Sequence, residues 1–395
     1  MKTEITRRHF VGGMGAAGLT LAGTGAKAAT PELPSAPVSI NVIDVGGELA
    51  MLQKPFDGYK RANTKIISSF VYSKAPAPEL PGKLKAQQDA GRMDVDVVLG
   101  GLDILAAGID QKLWVKLYPD YADALPNLDQ ILQPITIKAQ GLAQGQAICA
   151  TYTPSGPLLE YMPAKVKTPP TSADELMAWV KANPNRFFYA RPANSGPGRT
   201  WLMGLPYLLG DKDPSDPVKG WDKTWAYLKE LGQHVEYYPG GTAAVMKELG
   251  EGSRDMTVTT LGWDINPRVL GTVPKEAKVQ TLKGFHWVCD AQFIMIPKGV
   301  PEQKLAVIFD LIKWVMSPKQ QALTYDDGFF YPGPSAKDIT PAMASEDSQA
   351  VIKEFSRPEL EPLITSTPIE LPLSAEQMVL AFRIWDEQIG TNKRK

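Results

Sequence analysis

Strand-like apolar runs alternate with amphipathic, helix-like segments through the first third of the chain. The pattern predicts strands at 39–44, 65–72 and 95–99, and helices at 48–61 and 80–91. The third run is apolar along its whole length, as is typical of a strand buried on both faces. A β-α-β-α-β order of this kind predicts a parallel sheet covered by helices.

The same alternation continues to the end of the chain. The capping-box spacing of Ser172 and Glu175 predicts a helix start after Thr171 or Ser172. With 395 residues, the chain is long enough for two such α/β domains. Further strands are predicted at 147–152, 186–190, 235–238, 256–261 and 291–296, and further helices at 172–182, 200–209, 221–231, 243–249, 304–316 and 374–389.

Composition excludes several classes of protein. Lys and Arg number 42 against 43 Asp and Glu, so the chain lacks the basic excess of a non-specific nucleic-acid binder. Two cysteines, Cys149 and Cys289, exclude a disulfide scaffold and a four-cysteine zinc site, although they can be either bonded or free thiols. With three histidines in the whole chain, we expect no metal and no cofactor.

The first 29 residues have the features of an export signal. Arg7 and Arg8 precede a Gly/Ala-rich apolar stretch, and Ala26-Lys27-Ala28 fits a signal-peptidase site. The segment around the two arginines resembles the twin-arginine signal, and a short N-terminal anchor is the alternative. No later segment has 18 uninterrupted apolar residues. We therefore expect a soluble, periplasmic mature protein.

Gly-rich loops after strands are the main candidates for binding chemistry. Segment 194–199 (NSGPGR) joins a predicted strand to a predicted helix, where free backbone N–H groups attract anions. Arg199 offers a bidentate contact to an oxyanion, with Ser195 and Gly198 beside it. A loop that merely turns the corner, with Arg199 solvated, is the alternative. Thr242, after Gly240-Gly241, opens another helix and is a further candidate.

Aromatic and acidic residues at strand ends form a second set of candidates. Flat side chains stack on flat ligands or surround cations, and paired carboxylates bind ammonium groups. Core packing for the aromatics and surface solvation for the acids are the alternatives. Beyond the first 29 residues, the chain has no GxSxG, HExxH, CxxC or GxGxxG motif that would point to an enzyme. These candidates are Tyr152, Trp263, Trp287 and Tyr331, with Asp264 and Asp290.

Two stretches resemble the bacterial extracellular solute-binding proteins, the periplasmic receptors of ABC importers. In the first, a helix ending in Gly-Glu-Gly at 250–252 precedes a strand and then Trp263. The second runs from Trp287 to Ile296-Pro297, through an apolar helix, to Ser317-Pro318 and 331–334 (YPGP). The order of these motifs is most similar to the branch with the spermidine/putrescine receptors and related thiamine- or iron-type receptors.

The resemblance implies a two-lobe periplasmic-binding-protein fold of type II, α/β in class. Each lobe is then a mainly parallel sheet flanked by helices, and the solute lies in the cleft between the lobes. Residues 30–150 with 291–345 are expected to form lobe 1, residues 151–290 to form lobe 2, and residues 346–395 to pack as helices on lobe 1. Family contacts fall on Trp263, Trp287, Tyr331 and Asp290, and in the first lobe on the glycine pairs that contain Gly47 and Gly101.

Departures from the polyamine receptors bear on the ligand. Acidic contacts of the family fall here on Ser195, Gly198 and Arg199, which favours an anionic or zwitterionic solute over a dication. A polyamine- or thiamine-like cation is the alternative. A periplasmic enzyme on the same scaffold and an iron receptor are less favoured readings. The expected partners are a small-molecule solute and the importer's membrane permease, and we expect a monomer.

Overall fold

A computed structural model describes residues 28–391 apart from 46, 78, 329, 330 and 332, and the side chains of 326 and 375 are also left out. The predicted export signal therefore lies almost wholly outside the described residues. The strands are β1 (Val38–Asp44), β2 (Ile67–Lys74), β3 (Val97–Gly100), β4 (Ala147–Gly156), β5 (Leu158–Tyr161), β6 (Met256–Thr259), β7 (Lys278–Gln280), β8 (Trp287–Met295) and β9 (Ile369–Glu370). The helices are α1 (Glu48–Ala62), α2 (Leu80–Asp89), α3 (Leu102–Asp110), α4 (Leu128–Ile131), α5 (Pro134–Gly141), α6 (Ala173–Ala182), α7 (Gly196–Leu209), α8 (Asp222–Gly232), α9 (Thr242–Gly250), α10 (Ile265–Val269), α11 (Glu302–Val315), α12 (Pro318–Gln321), α13 (Glu346–Phe355), α14 (Glu361–Ser366) and α15 (Ala375–Trp385).

Two sheets organise the chain. The larger sheet has the order β2-β1-β3-β8-β4, with β9 added beside β8, and the smaller sheet has the order β6-β5-β7. Strand β4 leads directly into β5, and β8 brings the chain back from the smaller sheet into the larger one. This architecture is the expected α/β arrangement of two lobes.

Strand directions differ from the expectation of mainly parallel sheets. Strand β1 is parallel to β2 and to β3, as the β-α-β-α-β pattern predicts. Strand β8 is antiparallel to β3 and β4, and β5 is antiparallel to both of its neighbours. The reason is connectivity, because β4 runs toward the smaller sheet and β8 returns from it, so the two strands point in opposite directions.

Apolar faces fix the layers on the larger sheet. One core cluster joins β1 and β3 to α1 and α11 through side chains such as Phe56, Ile308 and Ile312, which are 0% exposed. The opposite face of the larger sheet packs against α3. This core cluster continues into the aromatic core of the second unit, which is the part of the chain that contains the smaller sheet. Helix α6 begins as its capping box predicts, because the Ser172 hydroxyl accepts the N–H of Glu175 at 3.2 Å.

Two predicted strands, at 186–190 and 235–238, are absent from the described sheets. Their backbones are tied by scattered bonds instead of a ladder. Phe187 makes a single bridge to Met256, and the carbonyl of Phe188 accepts the hydroxyl of Thr257 at 3.0 Å. At Phe188, a side-chain hydroxyl thus takes the carbonyl that a strand ladder would use.

The C-terminal segment contacts both the unit built on the larger sheet and the unit built on the smaller sheet, so the expected packing on lobe 1 is one part of its contacts. Helix α15 lies against α3, which directly follows strand β3 of the larger sheet. At the other end of α15, the Trp385 ring packs on Tyr189 and Tyr238, and its indole N–H donates to the Tyr189 hydroxyl at 3.1 Å. Arg191 stacks over the same indole and pairs with Asp386. The segment thus straps the two units together.

Cys149 and Cys289 are free and buried. Burial raises the pKa of both thiols, and the nearby carboxylates of Glu48 and Asp290 act in the same direction. These thiols are inert packing residues. No helix among the described residues has the length and apolar character needed to cross a membrane.

Truncating Trp385 tests the strap. Trp385→Ala is expected to lower the free energy of unfolding by about 3–5 kcal/mol, because it removes a buried indole and leaves a cavity. Val379→Ala lies on the same helix but starts from a side chain that is 50% exposed, so its effect should stay within about 0.5 kcal/mol. Denaturant titrations of both variants measure the difference. Equal effects would show that α15 does not depend on this contact.

Candidate binding site

A cavity of about 750 Å³ lies between the two units. The turns after β1 and β3 and the faces of β4 and β8 line one side, and residues 193–197, 240–242 and 260–266 line the other. Seven predicted site residues are brought together in this lining. They are Gly47, Gly101, Ser195, Arg199, Thr242, Trp263 and Asp290.

Alternation along β4 and β8 supplies a polar wall. Thr151, Thr153 and Ser155 occupy every second position of β4, and Asp290 and Gln292 do the same on β8. Successive side chains of a strand point to opposite faces, so these five share the face that borders the cavity. The side chains between them pack into the core.

Arg199 reaches into the cavity from the first turn of α7. That helix begins where the Ser195 hydroxyl accepts the N–H of Gly198 at 3.1 Å. Nη2 of Arg199 lies 3.0 and 2.8 Å from the two carboxylate oxygens of Asp290, and Nη1 lies 3.8 Å from Oδ2 of Asp103. Burial lowers the pKa of Arg199, but the two carboxylates more than offset this and raise it overall. The guanidinium is permanently charged.

Helix starts surround the same space. Gly47 and Gly101 precede α1 and α3, and Gly47 has φ 90°, a left-handed conformation that favours glycine. Helix α9 starts at Thr242 without a side-chain cap. The Thr242 hydroxyl lies 2.8 Å from that of Ser195. Uncapped N–H groups and two hydroxyls at one place suit an acidic group of a ligand.

Carboxylates outnumber cations in the described lining. The lining contains the carboxylates of Glu79, Asp103 and Asp290 and one guanidinium, that of Arg199. Glu79 is exposed at the rim, whereas the side chains of Asp103 and Asp290 are 21% and 14% exposed. Trp263, half-buried, adds a flat apolar face. The cavity therefore combines hydrogen-bonding groups with one aromatic surface, as small-molecule sites generally do.

Three aromatic candidates lie outside the lining. Trp287 is 0% exposed, and its indole N–H donates to the carbonyl of Leu363 at 3.0 Å. Tyr331 stacks on Tyr325, with ring centroids 6.1 Å apart. Tyr152 is on the opposite face of β4 from Thr151, and burial raises the pKa of its hydroxyl. In this structure these three side chains pack against protein and not against the cavity, so a ligand contact at any of them stays a prediction.

Asp264 and Gly198 also have structural roles. Asp264 is fully buried, and one of its oxygens lies 2.7 Å from Arg268 and 2.9 Å from Arg357. It thereby ties the C-terminal segment to α10. A Cβ on Gly198 would lie 2.4 Å from the carbonyl oxygen of Ala190. The glycine is therefore needed for the close approach of α7 to this carbonyl.

Sequence reasoning missed Asp103, Gln292 and the hydroxyls of β4. The sequence contained a signal for the hydroxyls, because a polar residue at every second position of an otherwise apolar strand indicates that one face of the strand contacts water. Asp103 was hidden by position, since an acid in the first turn of a helix is common for dipole reasons alone. Among the described residues, no group of three or more His, Cys, Asp and Glu is placed to hold a metal ion.

Comparison with known proteins identifies a family that matches this sequence and solved structures that share its fold. The model of the family described as bacterial extracellular solute-binding protein matches residues 56–351. No curated protein sequence matches the chain.

Solved structures with the same fold are distant in sequence. The periplasmic binding protein AfuA from Actinobacillus pleuropneumoniae, solved with fructose-6-phosphate, is 15% identical with a TM-score of 0.65, over 89% of this chain and 98% of its own. The spermidine/putrescine substrate-binding protein PotD from Streptococcus pneumoniae is 15% identical with a TM-score of 0.58, over 88% and 99%. A periplasmic thiamin binding protein is 16% identical with a TM-score of 0.58, over 92% and 100%. At such identities the likeness shows the fold alone.

The buried acid Glu160 predicts a pH-dependent stability. Burial raises its pKa to about 8, and Asp264 adds to the rise while Arg357 and Arg268 oppose it. Because the folded-state pKa exceeds the unfolded value, the stabilising contribution is complete below about pH 4.5 and is lost as the pH rises through about 8. Glu160→Gln should therefore gain stability relative to wild type across this interval, on the order of 1–4 kcal/mol.

Denaturant titrations between about pH 5 and about pH 9 measure this difference. Glu276→Gln, at an exposed position, is the control and should follow wild type at every pH. Parallel curves for Glu160→Gln and wild type would contradict the assignment.

Proposed function

Because the chain belongs to the family of bacterial extracellular solute-binding proteins, we propose that it captures a small polar solute in the cavity and delivers it unchanged to the membrane permease of an ABC importer. The observation that carries this proposal is a cavity of about 750 Å³ with hydrogen-bonding groups from both units. A ligand held by both sides of a cleft favours the closed arrangement, which a permease can recognise.

The same proposal includes location and organisation. Residues 1–29 direct export to the periplasm through the twin-arginine route, and the mature protein acts as a monomer. Lobe 1 comprises residues 30–150 and 291–345, and lobe 2 comprises residues 151–290. The packing of α15 on α3 in lobe 1, together with the contacts of Trp385 and Arg357 with Tyr189 and Asp264 in lobe 2, supports a C-terminal segment that spans both lobes.

A zwitterionic solute fits the lining best. Its acidic group would meet the uncapped start of α9 beside the hydroxyls of Ser195 and Thr242. Its ammonium group would meet the carboxylate of Asp103, and Trp263 would cover an apolar part. The excess of carboxylates in the lining favours a polyamine- or thiamine-like cation as the second candidate.

A thermal-shift screen of the wild-type protein tests the function. Amino acids, betaines, organic acids, sugar phosphates, polyamines and thiamine are the probes, because a ligand that binds the folded form raises the melting temperature. We expect at least one zwitterion to raise it, a more compact scattering profile with that solute, and recovery of the solute unchanged by mass spectrometry. Stabilisation by no probe, or conversion of a probe, would contradict the proposal.

Trp263 is the sharpest single test of the cavity as the solute site. Trp263→Ala should weaken binding of the stabilising solute by about tenfold, because a stacking surface is lost. Trp179→Ala removes a half-buried indole from α6, away from the cavity, and should leave the affinity unchanged. Titration calorimetry measures both. An unchanged affinity in Trp263→Ala would move the solute site elsewhere.

A further inference from the structure

Arg199 occupies an unusual position for a ligand-binding arginine. Its side chain is 7% exposed and lies between carboxylates from two different elements, Asp290 on β8 and Asp103 at the start of α3. Both oxygens of Asp290 contact the same nitrogen, at 3.0 and 2.8 Å. A buried guanidinium that is already paired in this way is a poor receptor for a second carboxylate.

Both carboxylate oxygens of Asp290 are engaged by Arg199, whereas those of Asp103 are not. Oδ1 of Asp290 also accepts the N–H of Ala291 at 2.9 Å. Oδ1 of Asp103 accepts the N–H of Ile104 at 2.8 Å, but its Oδ2 lies 3.8 Å from Arg199, beyond hydrogen-bonding distance. Asp103 therefore keeps one carboxylate oxygen for a donor that enters the cavity.

A second acceptor stands beside Asp103. Oε1 of Gln292 is buried and makes no hydrogen bond within the described part of the chain. A Cβ added to Gly101 would lie 3.3 Å from Oδ1 of Asp103, 3.4 Å from Oε1 of Gln292 and 3.6 Å from Nη2 of Arg199. The space beside Gly101 is therefore bordered by the carboxyl group of Asp103, by Oε1 of Gln292 and by the guanidinium of Arg199. An unpaired buried acceptor is costly, and a donor from the solute satisfies it.

We infer that Arg199 is a specificity-determining residue that acts as a tethered counter-cation. It neutralises Asp290 and leaves Asp103 and Gln292 as a place for a single ammonium group. A second ammonium group beside this place would meet the positive guanidinium, so repulsion weakens the binding of a dication. The inference rests on the proposed function, because it names the charge class that the same cavity selects.

Putrescine and γ-aminobutyrate test this inference, because they share a four-carbon chain and one ammonium group and differ in the charge of the other end. Arg199→Met removes the tethered cation and keeps an unbranched side chain. Its affinity for putrescine, measured by titration calorimetry at low salt, should rise by about tenfold or more over wild type, with no such rise for γ-aminobutyrate. Arg186→Met removes an arginine that is likewise paired with a carboxylate, that of Asp255, but lies outside the cavity, and it should keep the wild-type values.

Asp290→Asn provides a second measurement that does not require the loss of a buried arginine. It frees the charge of Arg199, so binding of putrescine should weaken and binding of succinate, a dianion of similar length, should strengthen by about tenfold. Circular dichroism checks that each variant is folded. Unchanged putrescine affinity in a folded Arg199→Met protein, or unchanged succinate affinity in Asp290→Asn, would overturn the inference.

The outcomes separate this inference from the proposed function. The proposed function fails if the wild-type protein is stabilised by no solute of the screen, whatever the variants do. The inference fails if wild type binds a solute but the substitutions at Arg199 and Asp290 do not shift the preference between putrescine, γ-aminobutyrate and succinate.

Discussion

The antiparallel pairing of β4 with β8 is the interaction on which the rest of the structure depends. The two strands lie side by side from Ala147 opposite Met295 to Gly156 opposite Val288, with two shifts of register along the way. One face of the pair is buried in the core, and the other carries the polar wall of the cavity. Both strands also connect the larger sheet to the smaller one. Any movement of one unit against the other must therefore bend or twist β4 and β8, the strands that carry the polar wall of the site.

Two buried ionic clusters show how the same chemistry serves different ends. Asp264 with Arg268 and Arg357 is sealed, with exposures of 0%, 4% and 8% for the side chains, and it holds the C-terminal segment in place. The cluster of Arg199 with Asp290 and Asp103 has two carboxylates and one guanidinium group instead of the reverse, and it borders the cavity, where Asp103 is 21% exposed. Breaking a sealed cluster leaves an uncompensated charge in the core. At the cavity wall, a solute can replace a missing partner, so the second cluster is available for recognition.

The order of elements and the loops that border the cavity could be predicted from the sequence, because both follow from short-range patterns. Glycines after β1 and β3 and the Ser195 loop before α7 mark helix starts, and parallel strands bring such starts to one edge. Trp287 and Asp264 could not be placed this way. Whether an indole or a carboxylate faces a ligand or a distant segment depends on tertiary contacts, here with Leu363 and Arg357 from the C-terminal segment.

Charge arrangement, and not fold, has to decide which solute the cavity takes. Relatives of the same fold, at 15–16% identity, are described by ligands as different as fructose-6-phosphate, polyamines and thiamin. In this chain, the protein itself places a guanidinium among the carboxylates of the site. Its charge is fixed and its position is set by α7 and β8, so it is present before any solute arrives. A solute is then selected by Oδ2 of Asp103, which lies beyond hydrogen-bonding distance of Arg199, by the rim carboxylate of Glu79, and by the N–H groups at the start of α9, which has no side-chain cap.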